Sequence, residues 1–135
     1  MFALVRNSAL GALLALATGC SGSGSLPAKP QLPRSAPPGW TQQTFAETPN
    51  PAGLPPAQTS PKCWLAVYSG PGSADVTVCG YAAEASAFDA GQRFPIKANS
   101  VKFQQRQWLV LVSWSGASQT DITSLVRTIN RALEK

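Results

Sequence analysis

Apolar positions in the second half of the chain recur every two residues in some stretches and every three or four in others, and the changes of period mark the elements. Cys63-Trp64-Leu65-Ala66-Val67-Tyr68 and Asp75-Val76-Thr77-Val78-Cys79-Gly80-Tyr81 are strand-like runs. Ser69-Gly70-Pro71-Gly72-Ser73-Ala74 between them is a hairpin signal. Facing Tyr68 with Ala74 across that loop places Leu65 opposite Thr77 and Cys63 opposite Cys79. After Tyr81 the period lengthens, and Ala83, Ala87, Phe88, Gly91 and Phe94 fall near one helical face that Pro95 ends. Gly91 either weakens this helix by about 1 kcal/mol relative to Ala or lets it pack closely on a sheet. Residues 95–100 form a loop, and Val101-Lys102-Phe103-Gln104-Gln105 alternates as a half-buried strand.

Trp108-Leu109-Val110-Leu111-Val112-Ser113-Trp114 is a continuous apolar run of the kind found in central strands, and it predicts the spine of the core. The turn before it, Gln105-Arg106-Gln107, lacks Gly and Asn, which leaves the register unspecified. Ile122, Leu125, Val126, Ile129 and Leu133 then form the apolar stripe of an amphipathic helix. Ser118, three residues before Asp121, resembles a capping-box start, and Arg127, Arg131 and Lys135 lie toward the negative end of the helix dipole. Together these elements predict an α+β fold over residues 62–135: a small, mostly antiparallel sheet with two helices packed on it.

The first half of the chain has a different texture. Between residues 26 and 61 prolines recur from Pro27 to Pro61, fixing φ and removing donors. That composition predicts a Pro-rich disordered stem, extended and semi-rigid, which with the preceding Ser/Gly tract makes residues 20–61 a linker that holds the domain off its attachment point. Pro38-Gly39-Trp40-Thr41-Gln42-Gln43-Thr44-Phe45 interrupts the prolines with β-formers, so residues 40–46 are expected as an edge strand docked through Trp40 or Phe45.

Residues 1–19 read as a secretory signal: a positive end with Arg6, an apolar run from Ala9 to Ala17, and small residues at Ala17-Thr18-Gly19. The run is shorter than the roughly 20 residues a membrane-spanning helix needs. Thr18-Gly19-Cys20, followed by Ser21-Gly22-Ser23-Gly24-Ser25, resembles the lipobox of bacterial lipoproteins, with Ala17 where Leu is usual. The resemblance covers the first 25 residues. It implies that Cys20 carries a thioether-linked diacylglycerol and an amide-linked acyl chain, that the partner is a membrane, and that the localisation is extracytoplasmic. Ser21 after the cysteine implies the outer membrane in a cell that has two. Two or three acyl chains make attachment effectively stable where one does not. The domain behind it is also loosely similar to exported proteins with a Pro-Gly-Trp strand, a hairpin and a helix, a similarity that transfers no site.

With Cys20 assigned to lipid, the two remaining thiols are even in number and sit in an oxidising compartment, so the expected pairing is a Cys63–Cys79 disulfide across the hairpin. No CxxC occurs in the mature chain and the sequence has no His, so neither redox nor zinc chemistry is indicated. Without Arg6 the chain has ten basic and six acidic side chains, a scattered excess of +4. A nucleic-acid groove would cluster those charges among stacking aromatics. Ser100-Val101-Lys102 has the wrong spacing for a Ser–Lys site, and Asp75, Glu84, Asp89 and Asp121 carry no pairing signature for glycoside hydrolysis. Gly70-Pro71-Gly72-Ser73 lacks the helix and lysine of a phosphate loop. No catalytic, cofactor or metal residue is therefore assigned. The expected function is a non-catalytic binding or scaffolding module of the cell envelope, meeting an envelope protein or glycan. An inhibitor or accessory subunit of an envelope enzyme, lysozyme-inhibitor-like, is the alternative, and a hydrolase comes third.

Overall fold

A computed structural model describes residues 25–57 and 59–135. The segment expected to be a secretory signal, Cys20 and the residues up to Gly24 lie outside the described residues. The order of elements is β1 (Ser35–Ala36), β2 (Trp40–Thr48), β3 (Lys62–Ser69), β4 (Ser73–Gly80), α1 (Glu84–Arg93), β5 (Ser100–Gln105), β6 (Trp108–Ser115) and α2 (Gln119–Leu133). The strands form one six-stranded sheet in the order β1-β2-β3-β4-β6-β5, antiparallel at every pairing. The fold is α+β.

The β3–β4 hairpin has the register read from the sequence, with Tyr68 facing Ala74, Leu65 facing Thr77 and Cys63 facing Cys79. The cysteines are joined, their Cα atoms 4.1 Å apart. Trp108–Ser115 lies between β4 and β5 in the sheet, as its two-sided apolar character requires. The turn the pattern left open is a two-residue turn, Gln105 facing Trp108, with Arg106 at φ 56°. Side chains secure it: Gln104 Nε2 donates to the Arg106 carbonyl at 2.7 Å, and Gln107 Nε2 to that of Tyr81 at 2.7 Å.

One face of the sheet carries the main core. Ala66, Tyr68, Val76, Val78, Val110 and Val112 meet Ile122, Leu125, Ile129 and Leu133 of α2 there. The helix begins as expected, with Ser118 Oγ accepting from the Asp121 amide at 3.1 Å. Its width does not cover six strands, and the remainder is sealed by the segment expected to be a stem. Leu32 and Ala36 are buried in this core. The Tyr68 hydroxyl donates to the Pro33 carbonyl at 2.6 Å, and Ser124 Oγ to that of Pro37 at 2.7 Å. Trp40 is 1% exposed, and its indole N–H donates to the Asp121 carbonyl at 3.0 Å. Residues 27–48 are thus part of the fold, and a domain boundary at 62 is too late. Proline density preset the extended backbone, but the apolar side chains between the prolines made that backbone a strap. The strand expected at 40–46 runs from Trp40 to Thr48, with both proposed anchors inward: Trp40 buried and Phe45 packed against the core.

The opposite face is only half covered. α1 buries Ala87 and Ala90 against Leu109 and the disulfide. Gly91 serves close packing, because a Cβ there would lie 3.2 Å from Leu109 Cδ1. Phe88, expected on the buried face, is 56% exposed. The contact stripe of α1 consists of small residues set close to the sheet, and it has no room for a phenyl ring.

Candidate functional site

Beyond α1 on the half-covered face, Leu65, Val67, Thr77 and Leu111 remain partly exposed. The connection between β2 and β3 crosses this face, where Leu54 packs with the disulfide cluster and Gly53 lies beside Phe94 and Pro95. Between that connection, the 94–98 loop and the sheet lies a cleft of about 350 Å³. Its floor is Thr77, Leu111 and Ser113, and its walls are Pro51, Phe94 and Ile96.

The loop that walls the cleft is held in place by polar contacts. Lys102 Nζ donates to the Phe94 carbonyl at 2.6 Å. Ser100 Oγ donates to the Lys97 carbonyl at 2.6 Å and accepts from the Lys97 amide at 3.1 Å. Ile96, on this braced loop, is 63% exposed. Lys97 and Lys102 put positive charge along an otherwise apolar wall.

The described residues contain no group of three or more His, Cys, Asp or Glu side chains that come together. Two tyrosines have perturbed hydroxyls. Burial, opposed by the hydrogen bond from Gln42, pushes Tyr68 above its ordinary 10.0. Burial and then the negative charge of Asp89 push Tyr81 upward as well. The Tyr81 hydroxyl has no hydrogen-bond partner among the described residues. Both groups belong to the packing of the sheet faces and do not line the cleft.

Of the residues singled out in the sequence, Cys63 and Cys79 are brought together and buried beneath α1. Cys20 lies outside the described residues. Asp75 is on the cleft's face of the sheet, Glu84 and Asp89 are on α1, and Asp121 starts α2. The cleft itself was missed. Its walls come from Pro51 and from Phe94-Pro95-Ile96, two segments whose prolines mark only breaks in periodicity. The one local hint was Ile96, a large apolar residue in a polar loop. No family model matches the chain, and no curated protein or solved structure matches it either.

Proposed function

We propose that this chain is a membrane-anchored extracytoplasmic lipoprotein, acylated on Cys20, whose domain is a non-catalytic binding module of the cell envelope. The observation that carries the binding half is the braced apolar cleft on a sheet face that α1 leaves uncovered. Such concave, largely apolar sites with a few polar groups are where proteins hold small ligands. The anchor half rests on Thr18-Gly19-Cys20 and the apolar run before it. Labelling with a clickable fatty acid tests the anchor: the label is expected on the wild-type chain and absent from Cys20→Ala, and a label that survives that substitution refutes it. For the cleft, native mass spectrometry with envelope lipids and peptidoglycan fragments is expected to detect a bound species that Leu111→Glu abolishes. Binding indifferent to that change would move the site elsewhere.

A second reading is an inhibitor or accessory subunit of an envelope enzyme. It is favoured by Ile96, a protruding apolar side chain on a loop braced by Lys102 and Ser100, as a partner's pocket would receive. Lysozyme activity that the purified domain leaves unchanged would argue against it.

A further inference from the structure

The strap changes where the domain sits relative to its anchor. Pro27 packs at the end of the sheet that holds Gly80 and Trp108, so closely that a Cβ on Gly80 would lie 2.5 Å from Pro27 Cγ. From there the chain runs along the core face past Phe45, over which Lys29 Nζ lies 4.6 Å from the ring centroid, to Pro33 and β1. Only six residues separate Cys20 from Pro27. Whatever their conformation, seven Cα–Cα steps of at most ~3.6 Å reach about 25 Å. A free stem ending at Lys62 would have allowed several times that distance.

This end of the domain also carries a particular set of charges. Lys29 and Lys135 line one groove with Pro27, Trp108 and Leu133. Lys62 faces Gly80 across the hairpin, Arg106 is in the β5–β6 turn, and Arg131 is in the last turn of α2. Against these five stand Glu47, which pairs with Lys62 at 3.8 Å, Glu84 at the start of α1, and Glu134, leaving an excess of two positive charges. The opposite end, with the Gly70–Gly72 loop and Ser115, is the length of an eight-residue strand away, about 24 Å.

We propose that the end of the domain bearing Pro27, Lys29, Arg106 and Lys135 rests on the headgroups of an anionic lipid surface, held there by a short leash between Cys20 and the docked strap. The inference builds on the acylation of Cys20 proposed above. It gives the lipoprotein a fixed orientation: the Gly70–Gly72 end points away from the bilayer, and the cleft, whose floor includes Ser113 near that end, opens off the membrane.

Fluorophores on introduced cysteines test it in the full lipidated chain, with the disulfide intact. Ala28→Cys and Glu134→Cys report the near end and Ser115→Cys the far end, in vesicles with a headgroup-attached quencher. The near-end probes are expected to be quenched severalfold more than the far-end probe, and more so when phosphatidylglycerol is added to phosphatidylcholine. A Gly/Ser insertion of about 20 residues after Gly24 is expected to bring the ratio toward one, because such a chain is a flexible coil. Equal quenching at both ends, or a ratio that the insertion leaves unchanged, overturns the leash; a ratio unaffected by phosphatidylglycerol overturns the anionic contact. The same labelled chains with six histidines in place of residues 15–20, seated on nickel-chelating lipid, separate the two proposals. A near-to-far gradient there with no acyl group on natural Cys20 by mass spectrometry would refute the anchor alone, and no gradient there refutes the leash whatever Cys20 carries.

Discussion

Leu32→Ala is the substitution that separates a strap from a spacer. Leu32 is 8% exposed and belongs to the cluster that includes Tyr68, Val110 and the α2 leucines. Truncating a buried leucine removes its transfer free energy and leaves a cavity, at a cost of roughly 2–5 kcal/mol. Because Leu32 sits at the margin of the core, where the proline segment can settle inward, the lower part of that range applies, about 2–3 kcal/mol. A residue in a solvated stem would change stability by no more than about 0.5 kcal/mol. The assay is urea unfolding of the Cys20→Ser chain, which lacks the proposed acylation site, followed by fluorescence of the four tryptophans, of which Trp40 lies beneath the strap's end. The expected result is a lower midpoint at unchanged slope. A shift below ~0.5 kcal/mol would place residues 27–36 outside the cooperative unit and refute the reasoning.

Replacing both Cys63 and Cys79 with Ala is expected to cost about 3 kcal/mol, the chain-entropy value for a loop closed over a sequence separation of 16, read as a fall in thermal midpoint. Ser118→Ala removes the oxygen that accepts from the Asp121 amide and should cost about 1 kcal/mol in urea unfolding, with Ser118→Asp restoring it. Stability should also fall on the alkaline side. Burial raises both Tyr68 and Tyr81 above 10.0, so above that pH the unfolded chain releases protons that the folded chain still holds. The stabilisation is complete below pH 10 and is lost as the pH rises through the raised values. In the Tyr68→Phe, Tyr81→Phe double variant, unfolding midpoints that decline as steeply as the wild type's between pH 9.5 and 11 would show that neither phenol is the cause.

Local pattern was enough wherever neighbours in sequence are also neighbours in space. The β3–β4 hairpin follows from two alternating runs around a Gly-Pro-Gly loop, and its register carried the disulfide with it. Ser118 and the spacing of Ile122, Leu125 and Ile129 likewise fix α2 from one face of one helix. The strap was not legible because its two parts pull in opposite directions. Prolines exclude residues 26–38 from helix and from central strands, which looks the same whether the chain is free or docked. What decides the matter is the partner surface, a strip of sheet that α2 leaves bare, and that strip exists only once β2, β3 and β6 are assembled. Phe88 misled for a related reason, since helical periodicity marks a face but not how closely that face approaches its partner. At Gly91 the approach is close enough to exclude a ring.

Covering the two sheet faces by different means has a consequence for where binding can evolve. The α2 face is sealed by a helix and a strap together, and its polar groups are used within the fold: the Tyr68 hydroxyl by Pro33, the Trp40 indole by Asp121 and Ser124 by Pro37. A ligand there would have to displace the strap and leave those groups unpaired, each at about 1–3 kcal/mol. The α1 face makes no such demand. Its cleft is bounded by loops whose own contacts, Lys102 to Phe94 and Ser100 to Lys97, are complete without an occupant, so a guest removes water from Leu111 and Ile96 and breaks nothing. The same strap that closes one face by burying Leu32 therefore leaves the other as the face for the proposed binding, and changes at the cleft should alter ligand affinity with little effect on folding.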